Sequence, residues 1–514
     1  MTVNASKVVF GDRNLNIEDI VDVAFKGRGV SLSEQPQFAK RIEKGADFLD
    51  KLWKEEGIIY GVTTGYGDSC TVSIPANLVE ELPHQLTRFH GCGLGKHFDT
   101  SETRAIIATR LASLSRGVSG VSMELLENLV GLLENDILPR IPEEGSVGAS
   151  GDLTPLSYIA AALIGERDVV YKGQVTSAAV ALQNAGIKPI QLKPKEGLAM
   201  MNGTAVMTAI ACLTWKRADY LCQLATRITA MVSIGMQGNA FHFGEALHAV
   251  KPHPGQVLCA QRVRQDLDSQ RAPRNSDRLQ DRYSLRCAPH VIGVLQDTLE
   301  WARGVIEIEL NSANDNPIID GEEERVLHGG HFYGGHIAMV MDSLKAAVAN
   351  VADLLDRQLA QLCDYKFNNG LPYNLSGAKA DVLPINHGFK AVQIGVSAWT
   401  AEALKNTMPA SVFSRSTESH NQDKVSMGTI AARDCRRVIE LTEQVAVACA
   451  FASVQAIELR QRQQQLDATE LSQSIQKSIT EIRAISPFLD SDRPLEAELR
   501  EGLNAVRLQL WTLY

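Results

Sequence analysis

Positive charge is in short supply in this chain. Its 514 residues carry 51 Lys and Arg against 60 Asp and Glu, a formal net charge of -9, and the isoelectric point is near 5.8. With no basic stripe to track a phosphate backbone, the balance argues against nucleic acid as a partner. Long uninterrupted apolar runs are also lacking. The opening MTVNASKVVFGDRNL has no apolar core of an export signal. Ile228 to Gly244 is broken by Gly, Gln, Asn and His, so no membrane span is expected. The nine cysteines form no CxxC pair and follow no regular spacing. An odd, scattered set without an export signal implies reduced thiols and a cytoplasmic setting. Two ligand motifs are missing as well. His242, Glu245 and His248 share one helical face but lack the HExxH order of a zinc protease, so they are expected to be structural and no metal is expected. LTRFHGCGLGK has no Ser or Thr after Lys96 and no clear buried strand before its glycines, which excludes a phosphate loop and leaves a helix end.

What is present is mostly helical pattern. The 45% hydrophobic content is ample for a large core, and length alone allows about three domains. Residues 1 to about 30 suit a short strand or two and a helix from Ile17 to Phe25. Further helices are expected over Gln37 to Glu56, Ser101 to Arg116 and Met123 to Asn135, and a small hairpin around Lys172-Gly173. From about residue 205 the chain reads as long helices. Leu344, Val348, Val351, Leu355, Leu359 and Leu362 recur at three- and four-residue steps, the stripe of a helix packed in a bundle. The expected fold is therefore all-α. A mostly helical part, 1–204, carries the loops, and a long-helix bundle, 205–514, completes one continuous catalytic unit.

The sharpest feature is Gly145-Ser146-Val147-Gly148-Ala149-Ser150-Gly151-Asp152-Leu153-Thr154-Pro155-Leu156. Thr154 suits an N-cap with Pro155 at the first helical position, so a tight turn before a helix is one reading. The other concerns Ala149-Ser150-Gly151. Glycine permits backbone conformations that a Cβ forbids, letting its amide nitrogen approach the alanine carbonyl two residues back. Ring closure and loss of water, including the serine hydroxyl, then leave an exocyclic methylene, a strong electrophile made from the chain itself. Upstream, Ile58-Ile59-Tyr60-Gly61-Val62-Thr63-Thr64-Gly65-Tyr66-Gly67 passes from a β-branched and aromatic patch into glycines, the pattern of a mobile loop.

GSVGASGDLTPLSYIAAAL resembles the prosthetic-group segment of the histidine, phenylalanine and tyrosine ammonia-lyases and related aminomutases, whose Ala-Ser-Gly triplet becomes 4-methylidene-imidazol-5-one (MIO). The resemblance covers nearly the whole chain and implies an ammonia-lyase/fumarase-like fold and a homotetramer with active sites shared between subunits. It implies MIO from Ala149, Ser150 and Gly151 with no external cofactor. YGVTTGYG is similar to the family's lid and gives Tyr60 the role of general base. EGLAMMNGT, read as the start of a long helix, makes Asn202 a contact of substrate and prosthetic group. QDRYSLRC assigns Gln280, Tyr283 and Arg286 to the pocket, Tyr283 to catalysis and Arg286 to the substrate carboxylate, which a guanidinium clamps well. Phe332 matches a pocket phenylalanine, although His331 replaces the usual asparagine of GNF.

Substrate choice is implied by the Phe89-His90 pair, Gln422 and Lys390. The pair facing the far end of the substrate is Phe89-His90, which matches neither the Phe-Leu of plant phenylalanine lyases, the His-Leu of one group of tyrosine lyases nor the Ser-His of histidine lyases. A ring nitrogen of His90 suits a phenol hydroxyl. Gln422 stands where histidine lyases place a glutamate, Lys390 matches the phenylalanine-lyase lysine, and Glu418 fits a carboxylate partner for the substrate amine. The expectation is elimination of ammonia from L-tyrosine or a ring-hydroxylated analogue. Phenylalanine comes next and histidine third. A tyrosine 2,3-aminomutase on the same scaffold is an alternative, as is an inactive helical scaffold.

Overall fold

Asn16 opens the first helix by accepting from the Asp19 amide while Asp19 reaches back to the Asn16 amide, a reciprocal cap. That helix, Ile17–Ala24, joins the parallel strands Val8–Phe10 and Val30–Leu32. The computed structural model describes residues 7–55, 57–267 and 279–514. Residues 1–6, where the chain's start was read for a signal, and Glu56, the expected end of the second helix, lie outside them.

Helices dominate and strands are short. Pro36–Lys54, Leu82–Phe89, Thr100–Leu114 and Met123–Glu134 follow in the first part of the chain. Asp168–Tyr171 and Gln174–Ser177 form the expected hairpin around Lys172-Gly173, which pairs onward to Ile137–Pro139. The later chain is carried by Ala205–Gly235, Ala288–Leu310, Gly335–Cys363 and Gly428–Arg462. Leu344, Val348, Val351, Leu355, Leu359 and Leu362 are fully buried, as a packed stripe requires. The fold is all-α.

The chain divides into two compact units. One holds residues 1–216, 303–342 and 409–433; the other holds 217–302, 343–408 and 434–514. Among the described residues one helix, Gly428–Arg462, is long and apolar enough to cross a membrane, and 89% of its most apolar window is buried inside the protein.

Four local expectations change. The helix after the glycine-rich segment starts at Leu153, so Asp152 rather than Thr154 is its cap residue. Pro155 still falls in the first turn, where amides lack helical acceptors. Asp152 makes no side-chain cap because its carboxylate turns to the Val206 and Met207 amides, at 3.0 Å each. The helix begun by EGLAMMNGT is not continuous: Glu196–Met201 ends at Asn202 and a new helix starts at Ala205. The face shared by His242, Glu245 and His248 is also broken, because extended Gly244 separates the turn Ala240–Phe243 from Glu245–Ala249. His248 is a buried structural histidine, with Nε2 near the His242 carbonyl and Nδ1 near the Gln256 amide. No metal-ligand cluster occurs among the described residues. Finally, the run of long helices expected from about residue 205 does not continue through the last stretch of the chain. After Gly428–Arg462 come Gln473–Arg483 and Glu496–Arg507, and the last helix stops seven residues short of Tyr514.

Candidate active site

A cavity of about 1260 Å³ opens within the first unit. Its walls bring together Tyr60, Phe89, His90, Ala149, Ser150, Asn202, Phe332, Glu418 and Gln422 from six separate stretches of chain. All nine were singled out in the sequence. The cavity's apolar and aromatic walls with a few polar groups are the lining of a small-molecule site.

The floor is the Ala149-Ser150-Gly151 turn, and it is pinned from several sides. The Ser150 carbonyl accepts from Asn202 Nδ2 at 3.0 Å and from the Gly203 amide at 3.2 Å, while the Asp152 amide donates to the Gly203 carbonyl at 2.7 Å. Gly151 has φ +70°, and a Cβ there would collide with the Gly203 backbone. Only glycine permits that approach. Beneath, fully buried Asp152 also accepts from Ser146 Oγ at 2.9 Å and from Thr429 Oγ1. Burial pushes the Asp152 carboxyl up, against the pull of those hydroxyl and amide donors. The break at 202–204 exists to make these contacts. Gly203 has φ +154°, and Asn202 Oδ1 accepts the Asn316 amide at 2.6 Å. Arg110, fully buried, donates to the carbonyls of Ala199 and Asn202 and to Asn314 Oδ1.

The segment Ile58 to Gly67 forms one wall. The Gly67 amide donates to the Tyr60 hydroxyl at 2.7 Å. Burial pushes the Tyr60 phenol above its ordinary value, with Glu418 and Cys70 adding to the rise and the Gly67 amide opposing it. Tyr66, also on the wall, has a buried hydroxyl without a hydrogen-bond partner among the described residues. Opposite, helix Leu82–Phe89 presents Leu82, Leu86, Phe89 and, just past its end, His90. Burial, then the positive charge of Arg167, pushes the His90 imidazole down to about 4. It is neutral near pH 7, so it has one donor nitrogen and one acceptor nitrogen. Gln422 donates to Ser150 Oγ at 3.3 Å, and its own carbonyl accepts from Thr417 Oγ1 at 2.8 Å, which fixes the amide's orientation.

Gln280, Tyr283, Arg286 and Lys390 belong to the second unit and do not line this cavity. Arg286 Nε donates to the Asp281 carbonyl at 2.9 Å, and its guanidinium sits 4.6 Å from the Tyr283 ring centre. Tyr283 is 71% exposed. Sequence reasoning also missed several wall residues: Leu82, Leu86, Leu153, Leu198, Asn316 and His328. The first two were legible as one helical face with Phe89 and His90, at four- and three-residue steps. His328 and Asn316 were not, since only the hairpin Ile318–Asp320 with Arg325–Leu327 brings them close in the chain's path. His331, flagged as a departure, is not on the wall.

Residues 15–484 match the family of aromatic amino acid lyases. Histidine ammonia-lyase of Homo sapiens is 37% identical over 456 residues, spanning 87% of this chain and 68% of that protein. Histidine ammonia-lyase of Halalkalibacterium halodurans is 34% identical over 501 residues, spanning 97% and 96%. The crystal structure of a tyrosine aminomutase from Streptomyces globisporus superposes with a TM-score of 0.91 at 32% identity, covering 98% of this chain and 97% of that one.

Proposed function

The chain belongs to the aromatic amino acid lyase family and is a carbon–nitrogen lyase, and from that premise we propose that it removes ammonia from L-tyrosine or a ring-hydroxylated analogue, giving trans-4-coumarate from tyrosine. The observation that carries the substrate reading is His90: a neutral imidazole on the cavity wall, its ring 4.5 Å from that of Phe89. A buried phenol needs a hydrogen-bond partner, and this ring offers one beside an apolar neighbour. Gln422 supports the same reading, because a neutral amide has no charge to pair with an imidazolium substrate.

MIO, formed from Ala149, Ser150 and Gly151, supplies an electrophile for the substrate amine. The pinned Ser150 carbonyl, the positive φ of Gly151 and the closeness of Gly203 favour the compact backbone that such a ring requires. Asn202 holds the segment in place. Tyr60 takes the β-proton at its hydroxyl oxygen, and the Gly67 amide stabilises the ionised phenol. Because the β-proton is a very weak acid, charge must be stabilised as it develops, not only bound in the ground state.

Among the described residues, no arginine lines the cavity to meet the substrate carboxylate. We assign that role to Arg286 of another copy, with Gln280, Tyr283 and Lys390, in a homotetramer with shared sites. The exposed Tyr283 ring is consistent with a surface that another copy covers.

Near-ultraviolet absorbance with tyrosine, phenylalanine, 3,4-dihydroxyphenylalanine and histidine in parallel tests the proposal. A hydroxycinnamate band growing fastest with a phenolic substrate is expected. A urocanate band alone, the outcome that the histidine ammonia-lyase relatives would suggest, overturns the tyrosine assignment. The full-length superposition on a tyrosine aminomutase favours one second reading: chromatography that finds free β-tyrosine would identify a mutase.

A further inference from the structure

Three consecutive non-glycine residues, Glu418, Ser419 and His420, have left-handed backbones with φ of 52°, 54° and 66°. L-residues visit this region reluctantly and rarely in runs, so something must hold the turn. The Asn421 amide donates to the Glu418 carbonyl at 3.0 Å. Thr417 and Gln422 exchange backbone bonds at 3.0 and 3.2 Å. Ser416 Oγ and His420 Nδ1 lie 2.7 Å apart. Such over-determined strain commonly marks a functional turn. What this one delivers is the Glu418 carboxylate, and both its oxygens are already engaged within the protein. Oε2 accepts from Asn421 Nδ2 at 2.9 Å, and Oε1 accepts from the Asp68 amide of the lid at 2.8 Å.

The adjoining lid amide is the one that matters chemically. Gly67 donates to the Tyr60 hydroxyl, and Asp68, the next residue, donates to Glu418. Two successive amides thus tie the lid in two directions, one to the base and one to the strained turn. Gly67 has φ +59°, and a Cβ there would collide with the Glu418 carboxylate, so the approach depends on glycine at this position.

We infer that Glu418 is a positioning residue that latches the lid, holding the Gly67-Asp68 segment so that the Gly67 amide meets the Tyr60 hydroxyl. This deepens the lyase reading, on which it rests, and differs from a role in pairing with the substrate amine. A latch needs an acceptor oxygen. An amine partner needs a negative charge.

Hydrogen exchange by mass spectrometry on the full-length protein, alongside steady-state kinetics, separates the two. In Glu418→Ala, exchange of the peptide covering 64–72 is expected to rise about tenfold or more, as for a locally released segment. Its kcat is expected to fall on the order of 10²-fold, the cost of a misplaced base. Glu418→Gln keeps an oxygen for the Asp68 amide and is expected to restore lid protection and recover much of the lost kcat. Exchange in helix Ala205–Gly235 reports global unfolding. If Glu418→Ala unfolds, Asn421→Ala removes the carboxylate's other anchor and is expected to raise lid exchange by a smaller factor. Unchanged lid protection in a folded Glu418→Ala, with Glu418→Gln equally impaired and KM alone raised, overturns the latch and leaves the lyase intact. Absence of ammonia release by the unaltered protein from every aromatic amino acid overturns the lyase reading without touching the exchange result.

Discussion

His90 sits where a helix ends and a cavity begins, and its charge state follows from that position. Its imidazole is pushed down to about 4 by burial and by Arg167, whereas the unfolded chain leaves a histidine near about 6.5. The unfolded state therefore binds a proton between those values that the native state does not, so stability rises with pH across that window. It is fully present above about 6.5 and is lost as pH falls through about 4. We expect melting curves of His90→Phe to lose part of this dependence. The same variant should lower kcat/KM for tyrosine about 10- to 100-fold through loss of one buried hydrogen bond, and lower that for phenylalanine far less. Equal losses on both substrates would remove His90 from substrate recognition. Tyr60 works in the opposite sense. As a base it must be ionised, and burial raises its phenol, so kcat/KM should climb with pH toward the alkaline range and Tyr60→Phe should abolish that limb. Ser150→Ala removes the hydroxyl that the proposed ring formation would expel. We expect turnover to fall at least about 10³-fold, equivalent to about 4 kcal/mol of barrier. Its intact mass should also lack the loss of two waters.

The segment that most shapes the site is the break between Met201 and Ala205. The flanks EGLAMM and AVMTAIA suit helix, while Asn202, Gly203 and Thr204 between them are weak helix formers that permit a break without specifying its geometry. Gly203 interrupts the helix because its amide and carbonyl bond to Ser150 and Asp152 instead of continuing it. Arg110 then supplies donors to the carbonyls that the ending helix leaves open. A side chain at Gly203 would collide with Arg110 and Asn314, and Gly203→Ala also forces an alanine into a backbone it avoids. The expected cost is about 3 kcal/mol or more. Arg110→Ala takes the donor from the buried Ala199 and Asn202 carbonyls, while Asn314 Oδ1 keeps Ser113 Oγ, and is expected to cost a similar amount, about 3 kcal/mol. Urea unfolding measures both. Loss of the prosthetic-group absorbance in a still-folded Arg110→Ala would mark the arginine as part of what holds the triplet.

At the scale of the whole molecule, the cavity is lined from the first unit, while Gln280, Tyr283, Arg286 and Lys390 sit in the second. If neighbouring copies complete each site, two inactive variants should rescue one another. Co-expressed Tyr60→Phe and Arg286→Ala chains are expected to regain activity at roughly a quarter of their sites, the fraction in which both intact residues meet by random assembly. Neither variant alone should work. No recovery from a mixed assembly would place Arg286 outside the shared site.

The residue pattern by itself pointed to the class of fold, and the resemblance of its motifs to a known family pointed to the class of reaction. Ala149-Ser150-Gly151 is a covalent fact of the chain, and the spacing of Leu344 to Leu362 demands a buried helical face wherever the helix lies. Tyr60, His90 and Gln422 were legible because each stands in a short motif whose neighbours are fixed in sequence. Only the tertiary structure decided the start of the helix at Leu153, the break at Asn202-Gly203-Thr204, and the bond from Glu418 to the lid. Each of these depends on a partner at least 50 residues away: Asp152 on Val206, Ser150 on Asn202, Glu418 on Asp68. Local propensity carries no information about such partners. Their bonds outweigh it because a buried polar group left without one costs more than a helix gains by running on.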